Sequence, residues 1–91
     1  MRVDKFLKVS RLVKRRTVAK EMCNRGQVRL NGRVIKAGAV IEPGNIIEIN
    51  FGRRRLKVEV CMLKETVPAR MVSEMYRVIE ERKITSEEDH L

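Results

Sequence analysis

The sequence predicts an α+β fold in which two short N-terminal helices accompany a small antiparallel sheet and a third helix follows the sheet. Helical spacing of apolar residues predicts the first two helices over about residues 4–9 and 17–25. Turn signals and alternating apolar residues between residues 27 and 62 predict the sheet. A chain of 91 residues accommodates one domain. We place this domain at residues 1–84 and expect an acidic, flexible tail at residues 85–91.

Each of the two N-terminal helices begins near a residue type that favours the N-cap position. We place Asp4 as the cap of the first helix and Thr17 as the cap of the second, because their side-chain oxygens accept hydrogen bonds from free backbone N–H groups. Gly26 follows the second helix, where a glycine tolerates the left-handed conformation that ends many helices. The apolar residues at helical spacing are Val3, Phe6 and Leu7 in the first helix and Val18, Ala19, Met22 and Cys23 in the second.

Two turn signals divide the middle of the chain into antiparallel strands. Asn31-Gly32 predicts a hairpin over residues 27–35 with a type I′ turn, because both central residues of that turn have positive φ. A second turn is predicted at residues 42–45, with Gly44 at its third position. The alternating apolar residues that indicate half-buried strands are Ile47, Ile49 and Phe51 in one run and Leu56, Val58, Val60 and Met62 in the next.

The third helix is predicted over residues 68–82. Pro68 suits the first turn of a helix, because the N–H that proline lacks has no partner at that position. Met71, Met75 and Val78 keep helical spacing, and Ile79 widens the same stripe.

The distribution of charge predicts a polyanionic partner. The formal net charge is +9, from 21 basic and 12 acidic residues. Residues 1–36 contain twelve Lys or Arg and two acids, whereas residues 37–91 contain nine Lys or Arg and ten acids. A positive field confined to one part of a small protein favours nucleic acid as the partner. Arg outnumbers Lys, which supports this, because the planar guanidinium matches phosphate oxygens and stacks on bases.

Several other classes of function lack support in the sequence. Cys23 and Cys61 form no CxxC pair and His90 is the lone histidine, so no zinc site is predicted, and we expect two reduced, buried thiols. No phosphate-binding loop or hydrolase motif occurs, so we expect neither an enzyme nor a cofactor. The absence of a long apolar run predicts a cytoplasmic protein without a signal peptide or membrane contact.

The first 25 residues contain a basic cluster that indicates RNA binding. Nine cations accompany only two acids in this stretch, and self-repulsion disfavours such a cluster unless a partner neutralises it. The cations are Arg2, Lys5, Lys8, Arg11, Lys14, Arg15, Arg16, Lys20 and Arg25. The chain contains only three aromatic residues, so base stacking on single strands is disfavoured and contact with the backbone of structured RNA is favoured.

The same stretch resembles a known RNA-binding family. Residues 2–7 and 10–16, Ala19 and residues 26–32 are similar, in order and spacing, to the S-four RNA-binding domain, whose core motif falls on residues 1–50 here. Residues 5–12, 14–17 and 19–21 resemble more closely a group of stand-alone S-four proteins that act in bacterial ribosome quality control, the RqcP group. The resemblance implies the αL-motif fold and a monomer that binds large-subunit rRNA and peptidyl-tRNA on split large ribosomal subunits. It further implies that the protein supports the addition of alanine tails, which the partner factor RqcH carries out.

The resemblance also implies which residues contact RNA. The cations that fall on RNA-facing positions of the family are Arg2, Lys8, Arg11, Lys14, Arg15, Arg16 and Lys20. Asn31, Gly32 and Lys36 fall on a loop edge beside that face, although the turn alone explains a glycine at position 32. Asp4 falls on the family's acidic position, where it orients Arg2 or Arg16. Gly38-Ala39 departs from the family pattern, in which two serines are expected.

Three alternative functions remain open from the sequence. A ribosome-assembly or heat-shock rRNA-binding factor shares the same fold and the same basic surface. A subunit of an RNA-modifying enzyme is a second alternative, and it requires a partner protein that carries the catalytic residues. A DNA-binding protein is the third, because affinity for phosphate is largely independent of sequence.

Overall fold

The structure is a computed structural model that describes residues 1–83. The tail predicted at residues 85–91 lies outside the described residues. The elements are α1 (Val3–Val9), α2 (Arg16–Asn24), β1 (Val28–Leu30), β2 (Arg33–Val34), β3 (Ile46–Asn50), β4 (Arg54–Val60), a 3₁₀ helix (Ala69–Glu74) and β5 (Tyr76–Lys83). The strands form one sheet in the order β2-β1-β3-β4-β5, with every neighbouring pair antiparallel. The predicted α+β fold is confirmed.

Helix α1 begins one residue earlier than predicted, and Asp4 is not its cap. The N-cap is Arg2, which makes no side-chain capping hydrogen bond. Asp4 lies inside the first turn, where its carboxylate accepts the Lys5 backbone N–H at 2.8 Å. The assignment of Asp4 as the cap was therefore wrong, because this carboxylate is buried against two arginine side chains instead of facing the free N–H groups at the helix start.

Helix α2 also begins one residue before its predicted cap. Arg15 is the N-cap, with an extended backbone and no side-chain capping bond. The Ala19 N–H donates to the Arg15 carbonyl at 3.0 Å, so Thr17 lies within the first helical turn and does not cap it. The helix ends at Asn24, one residue before its predicted end, and the predicted role of Gly26 is confirmed, because it follows the C-cap Arg25 with a φ of 75°.

The two predicted turns are present and fix the order of the first strands. Asn31 and Gly32 have φ values of 49° and 86°, as a type I′ turn requires. The Ile46 backbone N–H donates to the Asn31 side-chain oxygen at 2.8 Å, so this turn also attaches to β3. At the second turn, Gly44 has a φ of 93°, and the Asn45 N–H donates to the Glu42 carbonyl at 3.1 Å.

The apolar core lies between the two helices and one face of the sheet. Phe6 and Leu7 of α1 are fully buried, as are Ile47 and Val58 of the two central strands. The remaining core residues are Val3, Val13, Ala19, Met22, Cys23, Val28, Ala37, Ile41, Ile49, Leu56, Val60 and Met75. Of the two expected buried thiols, Cys23 is buried but Cys61 is exposed, because Cys61 directly follows the buried Val60 and so points away from the core. The opposite face of the sheet carries mainly polar side chains, among them Glu48 and Lys57 of the central strands.

The predicted C-terminal helix over residues 68–82 was wrong. A short 3₁₀ helix occupies Ala69–Glu74, and the chain then continues as the strand β5. β5 pairs with β4 along its length. The seven-residue strand β4 therefore has hydrogen-bonding partners on both edges, β3 on one and β5 on the other. Val78 and Ile79 are 48% and 42% exposed, so most of the apolar stripe that suggested a helix covers no core. Met75 alone is fully buried.

Candidate nucleic-acid interface

A buried carboxylate holds two arginine side chains at the junction of α1 and α2. The Asp4 side chain is fully buried, whereas those of Arg2 and Arg16 are 49% and 42% exposed. Arg2 Nε lies 3.3 Å from Asp4 Oδ1, and the terminal nitrogen Nη2 of Arg2 donates to Asp4 Oδ2 at 3.4 Å. Arg16 donates from Nε to Oδ2 at 3.3 Å and from the terminal nitrogen to Oδ1 at 3.4 Å. We call these three residues the arginine clamp.

The arginine clamp joins three segments that are separate in sequence. Arg2 precedes α1, Arg16 is the first residue of α2, and residues 36–40 form a loop that binds the start of α1. In this loop the Ala37 and Ala39 carbonyls accept the backbone N–H groups of Asp4 and Val3 at 3.3 and 2.8 Å. The clamp therefore fixes both helices and the loop around the point where the two guanidinium groups reach the surface.

Gly38 lies directly beside the Arg2 guanidinium. A Cβ atom at position 38 would meet the terminal nitrogen of Arg2 at 3.7 Å, which is an ordinary van der Waals contact. Gly38 is also one of the two positions at which the sequence departs from the expected serines. A serine would fit here without a clash and would place a hydroxyl next to this arginine, so the departure removes a neighbour of Arg2 and leaves the arginine clamp intact.

The ionisation of Asp4 follows from these contacts. Burial of the carboxyl group favours its neutral form and is the largest single influence on its pKa. The Arg16 hydrogen bond, the Lys5 backbone N–H and the positive charges of Arg16 and Arg2 together outweigh it, so the pKa of Asp4 lies below its usual value. The same carboxylate acts on the buried Cys23, whose pKa is raised by burial and by the negative charge of Asp4.

A pH dependence of stability follows from the lowered pKa of Asp4. Because the folded-state pKa is below the unfolded value of about 3.9, the stabilising effect of the carboxylate is complete above that value and is lost as the pH falls toward the folded-state pKa. We expect the free energy of unfolding of wild type to exceed that of Asp4→Asn at neutral pH, with the difference shrinking below about pH 4. Urea denaturation across this range measures it, and a difference that stays constant down to about pH 2 would contradict the prediction.

Two lysines extend the arginine clamp along the helices. Lys8 lies four residues after Asp4 on α1, and Lys20 lies four residues after Arg16 on α2, so each occupies the next turn on the same helix face. Lys14 and Arg15 lie in the connection between the helices, and all four side chains are exposed. We call the following set the helical basic surface: Arg2, Lys8, Arg11, Lys14, Arg15, Arg16 and Lys20.

Arg11 belongs to this surface and has an unusual backbone conformation. Its φ is 62°, which places a bulky residue in the left-handed region that favours glycine. Its N–H donates to the Lys8 carbonyl at 3.0 Å, and the Val13 N–H donates to the Leu7 carbonyl at 3.0 Å. These bonds close the end of α1 and turn the chain toward α2, with the exposed Arg11 side chain at the turn.

The other predicted site residues lie apart from the arginine clamp or have structural contacts. Asn31 uses its side-chain oxygen to attach the hairpin turn to β3, a role that needs no RNA. Lys36 is exposed at the beginning of the loop that binds α1. Lys5 forms an ion pair with Glu65, and Arg25 follows the last residue of α2. Lys36 therefore directly precedes Ala37, whose carbonyl binds the Asp4 backbone, whereas Asn31 is held at the hairpin turn by β3.

The sequence did not indicate that backbone carbonyls of the loop at residues 37–39 bind the start of α1 beside the arginine clamp. The only signal for this loop was the departure of Gly38-Ala39 from the family pattern.

Over residues 1–83, no group of three or more His, Cys, Asp or Glu side chains is placed to hold a metal ion. The helices in the same range are all too short and too polar to cross a membrane.

Comparisons with known proteins add to this geometry. The S4 domain family matches residues 1–47. The chain is 49% identical to the RQC P-site tRNA stabilizing factor of Halalkalibacterium halodurans, over 97% of this chain and 100% of the relative. It is 43% identical to the Bacillus subtilis protein of that name, over 92% and 98%. Heat shock protein 15 of Vibrio cholerae shares the fold, with a TM-score of 0.80, 24% identity and coverage of 99% and 86%.

Proposed function

Because this chain belongs to the S4 domain family, and within it to the group of RQC P-site tRNA stabilizing factors, we propose that it binds RNA on the ribosome during ribosome quality control. Its partners are large-subunit rRNA and the peptidyl-tRNA that remains on a split large subunit. In this role it is a binding protein without catalytic chemistry, and by holding the tRNA it supports the addition of alanine to the stalled chain by RqcH.

The arginine clamp is the observation that carries this proposal. A fully buried carboxylate fixes two half-exposed guanidinium groups that come from different segments. Guanidinium groups held in fixed directions lose little conformational freedom when they bind phosphate oxygens in pairs. The remaining exposed cations of the helical basic surface surround the clamp and supply further contacts to the RNA backbone.

Contact with two RNAs explains how so small a surface distinguishes its binding site from other ribosomal RNA surfaces. Phosphate contacts orient a protein but contribute little sequence specificity, and ribosomal RNA offers many surfaces of similar charge. A junction between tRNA and rRNA presents two phosphate surfaces in a fixed geometry, and binding to both gains affinity from effective concentration. We assign this contact to the helical basic surface, with Lys36 at its border and Asn31 in a supporting turn. The buried Asp4 takes part by orienting Arg2 and Arg16.

The proposal predicts a preference for large subunits that carry peptidyl-tRNA. We expect binding to these subunits to be at least tenfold tighter than binding to empty ones, because the two-surface contact adds an effective concentration to one of the two interactions. Equilibrium binding of the labelled protein to both preparations, at one salt concentration, measures this ratio. Large subunits with deacylated tRNA in the same position serve as a control for the contribution of the nascent peptide. Equal affinities for loaded and empty subunits would favour the ribosome-assembly or heat-shock alternative.

A further inference from the structure

A second group of cations lies at one corner of the sheet, outside the residues 1–47 that match the S4 domain family. It comprises the turn after β3 and the adjoining ends of β4 and β5. Its members, which we call the corner cluster, are Arg53, Arg54, Arg55, Arg82 and Lys83. In the register of these two strands Arg54 lies directly opposite Lys83, and Arg55 directly opposite Arg82. Two pairs of like charges are therefore neighbours at the end of one strand pair.

The rest of the sheet face that carries Arg55 and Arg82 compensates its charges, which makes this pair exceptional, whereas Arg54 and Lys83 alternate to the opposite face. One residue row across four strands consists of Arg29, Glu48, Lys57 and Glu80, which alternate in sign. The next row toward the corner consists of Asn50, Arg55 and Arg82 and contains no acid. Glu81 lies opposite Leu56, whose side chain is buried on the helix side of the sheet. Directly opposed like charges destabilise a strand pair, so the row that holds Arg55 and Arg82 gains stability when an anion binds.

The chemistry of the corner cluster fits a phosphodiester group. Opposed residues in an antiparallel pair have Cβ atoms roughly 5 Å apart, so the forks of Arg55 and Arg82 can reach one anion together. The Arg54 guanidinium lies 4.7 Å from the centre of the Phe51 ring, a cation–π contact that holds it at the corner. Four of the five cations are arginines, the residue type that binds planar or tetrahedral oxyanions with two parallel hydrogen bonds.

The corner cluster is connected to the helical basic surface through α2. Gln27, just beyond α2, donates from its side-chain amide to the Asn50 carbonyl at 2.7 Å, and the Asn50 N–H donates to the Gln27 carbonyl at 2.8 Å. Asn50 is the strand neighbour of Arg55. Arg16 begins α2 at its other end, and nine helical residues span roughly 14 Å. Because Arg55 and Arg82 lie on the sheet face away from the helices, a nucleic acid that contacts both surfaces has to pass around the edge of the sheet.

We propose that the corner cluster is a second RNA-binding site, which takes backbone phosphodiester groups of the RNA already bound by the helical basic surface. This inference rests on the proposed function for the identity of the nucleic acid. It adds a site of its own, formed by strands that the first surface does not use. An acidic protein segment is the alternative partner for such a cluster, and the RNA affinities of two variants distinguish it from RNA.

Arg55→Glu tests the site without loss of the fold. The substitution places an acid directly opposite Arg82, so the like-charge pair becomes an opposite-charge pair and the melting temperature is expected to stay the same or rise. Binding to a labelled RNA hairpin and to large ribosomal subunits is expected to weaken about tenfold. The slope of log affinity against log salt is expected to fall in magnitude by about 1.

Arg70→Glu is the matched control. It makes the same change in net charge at an exposed residue of the 3₁₀ helix. That helix precedes Tyr76, and β5 runs eight residues from there to Lys83, so the control belongs to the segment before the start of β5 and the corner cluster lies at the end of β5. We expect its RNA affinity to change less than threefold and its salt slope to stay constant.

The two variants give outcomes that decide the question. If Arg55→Glu and Arg70→Glu weaken RNA binding equally, the corner cluster is no RNA site and the acidic-partner alternative gains support. If the wild-type protein has equal affinities for the hairpin, for large subunits with peptidyl-tRNA and for empty large subunits, the proposed function is overturned. The comparison of the two variants stays valid in that case. A wild-type protein that binds no RNA overturns both proposals.

Discussion

Replacing Asp4 by Ala is expected to destabilise the protein by about 2 kcal/mol and to weaken RNA binding at least thirtyfold. The substitution removes the only acid of the arginine clamp, so Arg2 and Arg16 remain close together without the charge that holds them. We place the loss of stability below the usual range for a broken buried pair because both guanidinium groups are about half exposed and regain contact with water. Affinity falls because neither arginine keeps its direction.

Urea denaturation and equilibrium RNA binding measure these two effects. Glu21→Ala is the control, since it removes one acid from an exposed position on α2 and is expected to change stability by less than about 0.5 kcal/mol. The double variant Asp4→Ala with Arg16→Ala tests the contact itself. The two substitutions should be strongly non-additive, because the second removes a side chain whose partner is already absent. An Asp4→Ala protein as stable as Glu21→Ala would contradict the structural role of the clamp.

The parts of the fold that depend on neighbours in sequence could be predicted. The Asn31-Gly32 turn is set by a local requirement for positive φ, and the structure has it. Both N-terminal helices follow from local spacing of apolar residues, and their bounds differ from the predictions by about one residue at each start. Their caps could not be predicted, because the burial of Asp4 depends on Arg16, twelve residues away.

The strand β5 shows where prediction from spacing fails. The segment that contains Met71, Met75 and Val78 satisfies a helical pattern, but the pairing of β5 with β4 decides its conformation. Such pairing involves residues distant in sequence and is invisible to a local pattern. The β-branched Val78 and Ile79, next to the aromatic Tyr76, favoured a strand, and this was the signal that could have corrected the assignment.

The candidate site was predictable in composition but not in geometry. Charged side chains in a short, basic segment are almost always exposed, so the cations of the helical basic surface were identified correctly as surface residues. The sequence indicated that Asp4 orients Arg2 or Arg16, whereas the structure has it binding both. The corner cluster was overlooked because the second half of the chain is nearly neutral in sum, and only the strand register brings Arg55 and Arg82 together.

Replacing Arg11 by Gly is expected to change stability and RNA affinity in opposite directions. Arg11 has a φ of 62°, which costs an L-residue about 1–2 kcal/mol, and glycine adopts this conformation freely. The greater flexibility of glycine in the unfolded chain offsets about 0.5–1 kcal/mol of that gain. We therefore expect the free energy of unfolding to rise by about 0.5–1 kcal/mol. RNA affinity should fall about tenfold, because one exposed guanidinium of the helical basic surface is lost.

Two further variants separate the causes of these changes. Arg11→Ala loses the same cation but keeps a side chain in the left-handed region, so its RNA affinity should match that of Arg11→Gly while its stability stays near wild type. Lys14→Gly introduces glycine into the same connection, at a residue without positive φ, and should lower stability by roughly 0.5–1 kcal/mol. If Arg11→Gly lowers stability as much as Lys14→Gly, the backbone at Arg11 is not strained. If it leaves RNA affinity unchanged, the strained turn serves only to end α1. A gain in stability together with a loss of affinity means that the turn keeps an unfavourable conformation in order to present an arginine to RNA.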